Sequence, residues 1–175
     1  DSDALPFVPG KTITGIWRDA CEQIASGLDG IPGGHWSTWV EWLFGSQPAL
    51  EGAANRHDRV PIPAHVSIRS ARMPKALREA LTQAAFAPHK QALTWLKPGV
   101  EIDLEQGWAK EEQLRFEEVV RPGVHLDGTV DMEPEDSMPD PAEALLWAGA
   151  RIVERIGGKR RRGLGRCNLT IKSDA

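Results

Sequence analysis

The chain has 175 residues, 41% hydrophobic and 26% charged, which suits a globular domain with a real core and excludes a disordered or fibrous chain. No run approaches the roughly 20 apolar residues that span a bilayer, and Asp1-Ser2-Asp3 lacks the regions of a signal peptide, so a cytoplasmic protein off the membrane is expected. The net charge of −4 argues weakly against a polyanionic partner, but the charge is unevenly spread. Residues 101–143 carry fourteen acids against Lys110, Arg115 and Arg121, a net of −11; residues 151–172 carry eight bases against Glu154 alone, a net of +7.

Pro9-Gly10 breaks the chain, and Thr12 is a candidate N-cap. Ile13, Ile16, Trp17, Ala20, Cys21, Ile24 and Leu28 then recur at the 3.6-residue period, predicting a helix over 12–28. Residues 30–34 read as a loop. His35–Phe44 is a short helix with Trp36, Trp39, Trp42 and Leu43 spaced by three and four, a pattern that suits core or interface better than a base-stacking platform. Residues 45–58 read as a polar loop, and 59–73 as a strand centred on His65–Arg69. Pro74–Phe86 has helical spacing of Ala and Leu, with Pro74 at a first helical position.

After the Ala87-Pro88 break, Gly99–Leu104, Leu114–Val120 and Val124–Met132 read as strands, separated by Gly107 and the Pro122-Gly123 turn. Residues 133–141 form an acidic, Pro-rich loop. The last helix, 141–156, is capped by Asp140, buries Leu145, Leu146, Gly149, Ile152, Val153 and Ile156, and stops at Gly157. Arg166–Lys172 closes the chain as a strand. The tally is a single α+β domain, 1–175, with an antiparallel sheet and helices on one face. Cys21 and Cys167 have no CxxC or His partner spacing and read as small residues in a reducing compartment.

The segment Gly157-Gly158-Lys159-Arg160-Arg161-Arg162-Gly163-Leu164-Gly165-Arg166 is the most informative. Dinucleotide and P-loop readings need strand, loop, then helix, so that a helix N-terminus faces the anion. Here the order is helix, loop, strand, and no GK[ST] end is present. Glycines at 157, 158, 163 and 165 permit close backbone approach to an extended polyanion. Lys159, Arg160, Arg161, Arg162 and Arg166 put five bases within eight residues, suited to phosphate oxygens. The alternatives are a solvated basic turn, or a dock for an acidic protein partner such as the 101–143 segment of another copy.

At this loop and near the N-terminus the sequence resembles the RAMP superfamily of CRISPR-associated proteins, with the backbone subunits of type III effector complexes as the nearest likeness. Leu5-Pro6-Phe7-Val8-Pro9-Gly10-Lys11-Thr12-Ile13-Thr14-Gly15-Ile16-Trp17-Arg18 looks like the family's "LPxIPGSSLKGxxR", followed by Leu43-Phe44-Gly45. Val100–Leu104, Gly107-Trp108-Ala109, Leu114 and Glu117–Gly123 are similar to its "VxIDRxTGxA…L…EVVxxG" strands, and Gly157–Arg166 to its "GGxxxRGxGR" loop. The resemblance implies a ferredoxin-like, RNA-recognition-motif-like fold. It also implies a role in antiviral defence as part of a ribonucleoprotein, bound to guide RNA, target RNA and neighbouring effector subunits. By motif, Lys11, Thr12, Arg18 and the loop's glycines and bases fall where the family contacts the guide. For Arg18 the alternative is a helix salt bridge to Glu22; for Lys11 it is a solvated turn. Lys11 stands at a family Ser, Thr14 at a usual Lys and Leu104 at a usual Arg. The family's first strand and loop are expected upstream of Leu5.

RNA holding needs no cofactor. Target cleavage in the family uses Mg²⁺ and an Asp upstream of "LPxIPG", for which Asp1 and Asp3 are the only acids in that region. A guide-processing endoribonuclease would instead use a His as general acid/base, with His35, His57, His65, His89 and His125 as candidates. The chain alone is expected not to cleave. A non-RNA assembly scaffold is the remaining alternative.

Overall fold

A computed structural model describes residues 3–46, 61–102, 109–132 and 138–172. In chain order the elements are β1 (Phe7–Val8), α1 (Gly10–Asp29), α2 (Trp36–Phe44), β2 (Val66–Ile68), β3 (Ala71–Arg72) and α3 (Lys75–Leu81). Then come α4 (Ala87–Gln91), β4 (Thr94–Ile102), β5 (Ala109–Val120), β6 (Val130–Met132) and α5 (Asp140–Ile152). The architecture is α+β, and every strand pair among the described residues is antiparallel. Among the described residues the strands pair in twos, β1 with β3, β2 with β6 and β4 with β5. The chain forms two compact units, Asp1–Val8 with Ala71–Asp127, and Pro9–Ser70 with Gly128–Ala175.

In the second unit α1 starts two residues before the predicted Thr12 cap. Pro9 is extended and its carbonyl accepts from the amides of Thr12 and Ile13 at 3.0 and 3.2 Å. Gly10 donates its amide to Ser70 Oγ at 3.1 Å, and a Cβ there would overlap the Ile68 carbonyl, so glycine alone fits against the end of β2. Ile13, Trp17, Ala20, Cys21 and Ala25 form the buried face of α1, while Ile16, Ile24 and Leu28 are only half-buried. That face packs on Leu43, Phe44 and Val40 of α2 and on Ala142, Leu145, Leu146 and Ala150 of α5. Leu43 and Leu145 are fully enclosed, each worth about 1.5–3 kcal/mol relative to exposure. α1 also packs on β2, whose Val66 and Ile68 face Met132 and Val130 of β6.

The C-terminal part differs from expectation. The helix predicted over 141–156 runs from Asp140 to Ile152, and Asp140 is its first residue rather than a capping side chain. Val153 is extended (φ −73°, ψ 99°) and buried, whereas Ile152, expected in the buried stripe, is 46% exposed. The helix stops early because residues 154–156 pair with 165–167 instead. Of the strand predicted over 166–172, only the bridge Arg155↔Arg166 forms.

In the first unit β1 and β3 pair through Phe7↔Arg72 and Val8↔Ala71, with the Arg72 guanidinium 5.1 Å above the Phe7 ring. Leu5, Met73 and Leu81 make its core, packed by Leu93, Val124 and Leu126. The strand predicted over 59–73 is split between β2 and β3 at Arg69-Ser70, and the chain passes from one unit to the other after Ser70; residues 59–60 lie outside the described residues. The one predicted over 124–132 is likewise split: Asp127 exchanges backbone hydrogen bonds with Arg72, and β6 begins only at Val130. Pro88, predicted as a break, lies in the first turn of α4, where its missing N–H is harmless. β4 and β5 form the longest strand pair among the described residues and begin before the predicted strands. By register and alternation, Leu96, Val100, Leu114, Phe116 and Val120 share one face of it, all exposed.

Candidate RNA-binding interface

The predicted helix–loop–strand passage is a closed lobe. The Ile156 amide donates to the Gly165 carbonyl at 2.8 Å and the Cys167 amide to the Glu154 carbonyl at 2.9 Å, which pins the neck. Between them, Arg160–Arg162 form one turn of 3₁₀-helix, closed by the Arg162 amide donating to the Lys159 carbonyl at 2.9 Å. Gly163 follows at φ +81°, a left-handed conformation that ends the turn at no steric cost. Gly165, at φ +75°, lies against Ile156 so closely that a Cβ would overlap its carbonyl. The glycine pattern therefore serves the closure of the lobe as well as access to its backbone.

The lobe gathers most of the predicted site. Gly157, Gly158, Arg160, Arg162, Gly163, Gly165 and Arg166 are exposed, Lys159 is half-buried, and Arg161 completes the turn. Such a tip offers cations and unencumbered backbone to an anion. Sequence reasoning missed Arg155. Its Nη1 donates to the Arg160 carbonyl at 3.5 Å. The signal was its position, one residue before the Ile156-Gly157 step, mirrored by Arg166 after Gly165.

Lys11 and Thr12 stand in the first turn of α1, exposed and half-buried respectively. Arg18 is turned inward, its side chain only 13% exposed. Its Nε donates to Glu22 at 2.7 Å, the ion pair anticipated as its alternative, and its Nη1 reaches the carbonyls of Gly45 at 2.8 Å and Phe44 at 3.4 Å. The guanidinium thus satisfies the C-terminal carbonyls of α2, which ties Arg18 to the Leu43-Phe44-Gly45 motif.

Asp1 lies outside the described residues, and Asp3 is half-buried in a turn before β1. Among the described residues no group of three or more His, Cys, Asp or Glu side chains could hold a metal ion. His35, His89 and His125 are exposed, and His57 lies outside the described residues. His65 stacks on Trp42 with centroids 4.1 Å apart, its Nδ1 donating to the Trp42 carbonyl at 2.8 Å. Trp39 meets Trp42 edge-on at 6.5 Å, and Trp36, Trp39 and Trp42 are all half-buried.

The family model described as the RAMP superfamily matches residues 1–168. The chain belongs to the RAMP superfamily. No curated protein matches it. Membership makes this RAMP chain a CRISPR-associated, RNA-binding protein whose partners are RNA and CRISPR-complex subunits. Among its described residues no helix is long and apolar enough to cross a membrane.

Proposed function

We propose that the chain is a guide-RNA-binding backbone subunit of a type III CRISPR ribonucleoprotein effector, working in the cytoplasm beside neighbouring effector subunits. The Gly157–Arg166 lobe grips RNA phosphates, Lys11 and Thr12 add a second contact, and pairing between guide and target reads the sequence. The observation that carries this reading is the pinned lobe with Arg160, Arg162 and Arg166 exposed. A backbone grip of this kind is sequence-tolerant and salt-dependent.

Replacing Arg160, Arg161 and Arg162 together by Ala tests it. Affinity for single-stranded RNA should fall nearly equally across sequences, and the log–log salt slope should shrink by about 2, from ~0.7 per neutralised phosphate. Unchanged affinity and slope would sink the reading. The chain by itself holds RNA without cutting it. Labelled RNA incubated with saturating protein and Mg²⁺ should stay intact; products lost on Asp3→Ala would make it a target-cleaving subunit instead.

A further inference from the structure

The neck of the lobe contains an arrangement that phosphate would explain. The hydrogen bonds Ile156 to Gly165 and Cys167 to Glu154 flank the Arg155↔Arg166 bridge, which makes these arginines a non-hydrogen-bonded antiparallel pair. In such a pair the Cα atoms are about 4.5 Å apart and the side chains leave the same face at their closest. Like charges directly opposite one another destabilise a strand pair.

Among the described residues no carboxylate is placed to relieve this repulsion. Glu154 is the sole acid in 151–172, and strand alternation sends it to the opposite face of the neck from Arg155. Among the described residues no carboxylate forms an ion pair with either guanidinium. Arg155 reaches the Arg160 carbonyl, a neutral acceptor, at 3.5 Å.

We propose that Arg155 and Arg166 together hold one phosphate between their guanidinium groups, so that the neck is an anion clamp beneath the Arg160–Arg162 turn. This deepens the RNA-binding reading and rests on it for the identity of the ligand, a phosphodiester of the bound strand. Two planar forks converging on one group suit tetrahedral phosphate oxygens better than a single carboxylate. The clamp differs from the tip in consequence. The tip adds charge, whereas the neck fixes where one phosphate must sit relative to the lobe.

The test uses Arg155→Gln, Arg166→Gln and the double variant of the full chain. Without ligand at low salt, each single variant should raise Tm by about 1–3 °C, because a like-charge pair is removed. Inorganic phosphate, against chloride at matched ionic strength, should raise the Tm of the unaltered protein and not of either variant. In RNA binding, the double variant should shrink the log–log salt slope by about 0.7, the value for one shared phosphate. A shrinkage of about 1.4 would mean two separate phosphates and overturn the clamp. A lower Tm for Arg155→Gln would make Arg155 a structural brace and also overturn it. If phosphate raises Tm through both arginines but the protein binds no RNA, the clamp stands and the RNA reading falls.

Discussion

The indole nitrogen of Trp17 donates a buried 2.9 Å hydrogen bond to the backbone carbonyl of Leu146, across the contact of α1 with α5. The two helices come this close because Gly149, one turn further along α5, has no side chain. A Cβ at Gly149 would overlap the Cys21 sulfur and lie 3.2 Å from the Trp17 ring. Cys21 in turn points its thiol at the Leu145 carbonyl at 3.5 Å. One glycine therefore sets the spacing on which both contacts depend.

Gly149→Ala should destabilise the protein. Overpacking costs about 1–3 kcal/mol, which outweighs the roughly 1 kcal/mol that alanine gains in helix propensity. Adding Cys21→Ala should restore part of the loss, because the clashing sulfur is removed. Thermal melts of the two single variants and the double give the coupling; strictly additive changes would count against this packing.

Arg18→Ala should lower stability by about 1.5–3 kcal/mol, the range for hydrogen bonds from a charged donor, by stripping the α2 carbonyls of their partner. The salt slope of RNA binding should stay as it was. A slope reduced by ~0.7 with little change in Tm would put Arg18 on a phosphate instead.

The two cysteines should differ in reactivity. Burial, with a smaller contribution from the charge of Glu22, pushes the Cys21 thiol up to about 12, and burial also raises Cys167. At pH 8 Cys21 is then thiolate to about one part in ten thousand. A thiol reagent should titrate Cys167 in the native protein and reach Cys21 only after denaturant is added. Fast native labelling of Cys21 would contradict the helix packing.

The Asp29 carboxylate accepts from Ser37 Oγ and from the amides of Trp36 and Ser37, clasping the start of α2. The Ser37 hydroxyl, ahead of the two amides, holds its carboxyl below the ordinary value of 3.8. A depressed folded-state value means stabilisation present above the unfolded pKa and lost as pH falls through the folded one. Acid unfolding should therefore include a step below about pH 4 that Asp29→Asn removes. A variant with the unaltered acid profile would discard this assignment.

Local pattern carried much of this fold. The period of Ile13, Trp17, Ala20 and Cys21 located α1, and Leu145 with Leu146 located the buried face of α5. Ties across long separations could not be read in advance. The carbonyls that Arg18 serves lie 26 and 27 residues away, so its tie to the end of α2 had no local signal. Gly157 looked like the helix stop because glycine commonly ends helices. The chain leaves the helix at Val153 because Glu154 and Ile156 find backbone partners beyond the loop. The basic run itself was visible, but Arg155 gained its meaning only once the neck set it opposite Arg166.

Closing the lobe at its neck also has a thermodynamic consequence. An open basic loop of this length would lose its conformational freedom when RNA arrives, at about 1–2 kcal/mol of backbone entropy per residue fixed. Here folding has already absorbed much of that loss through the backbone bonds of Ile156 and Cys167. The entropy still to be surrendered on binding is mainly that of long side chains, about 0.5–1.5 kcal/mol each. Cutting one neck bond should thus weaken RNA binding without removing a single positive charge.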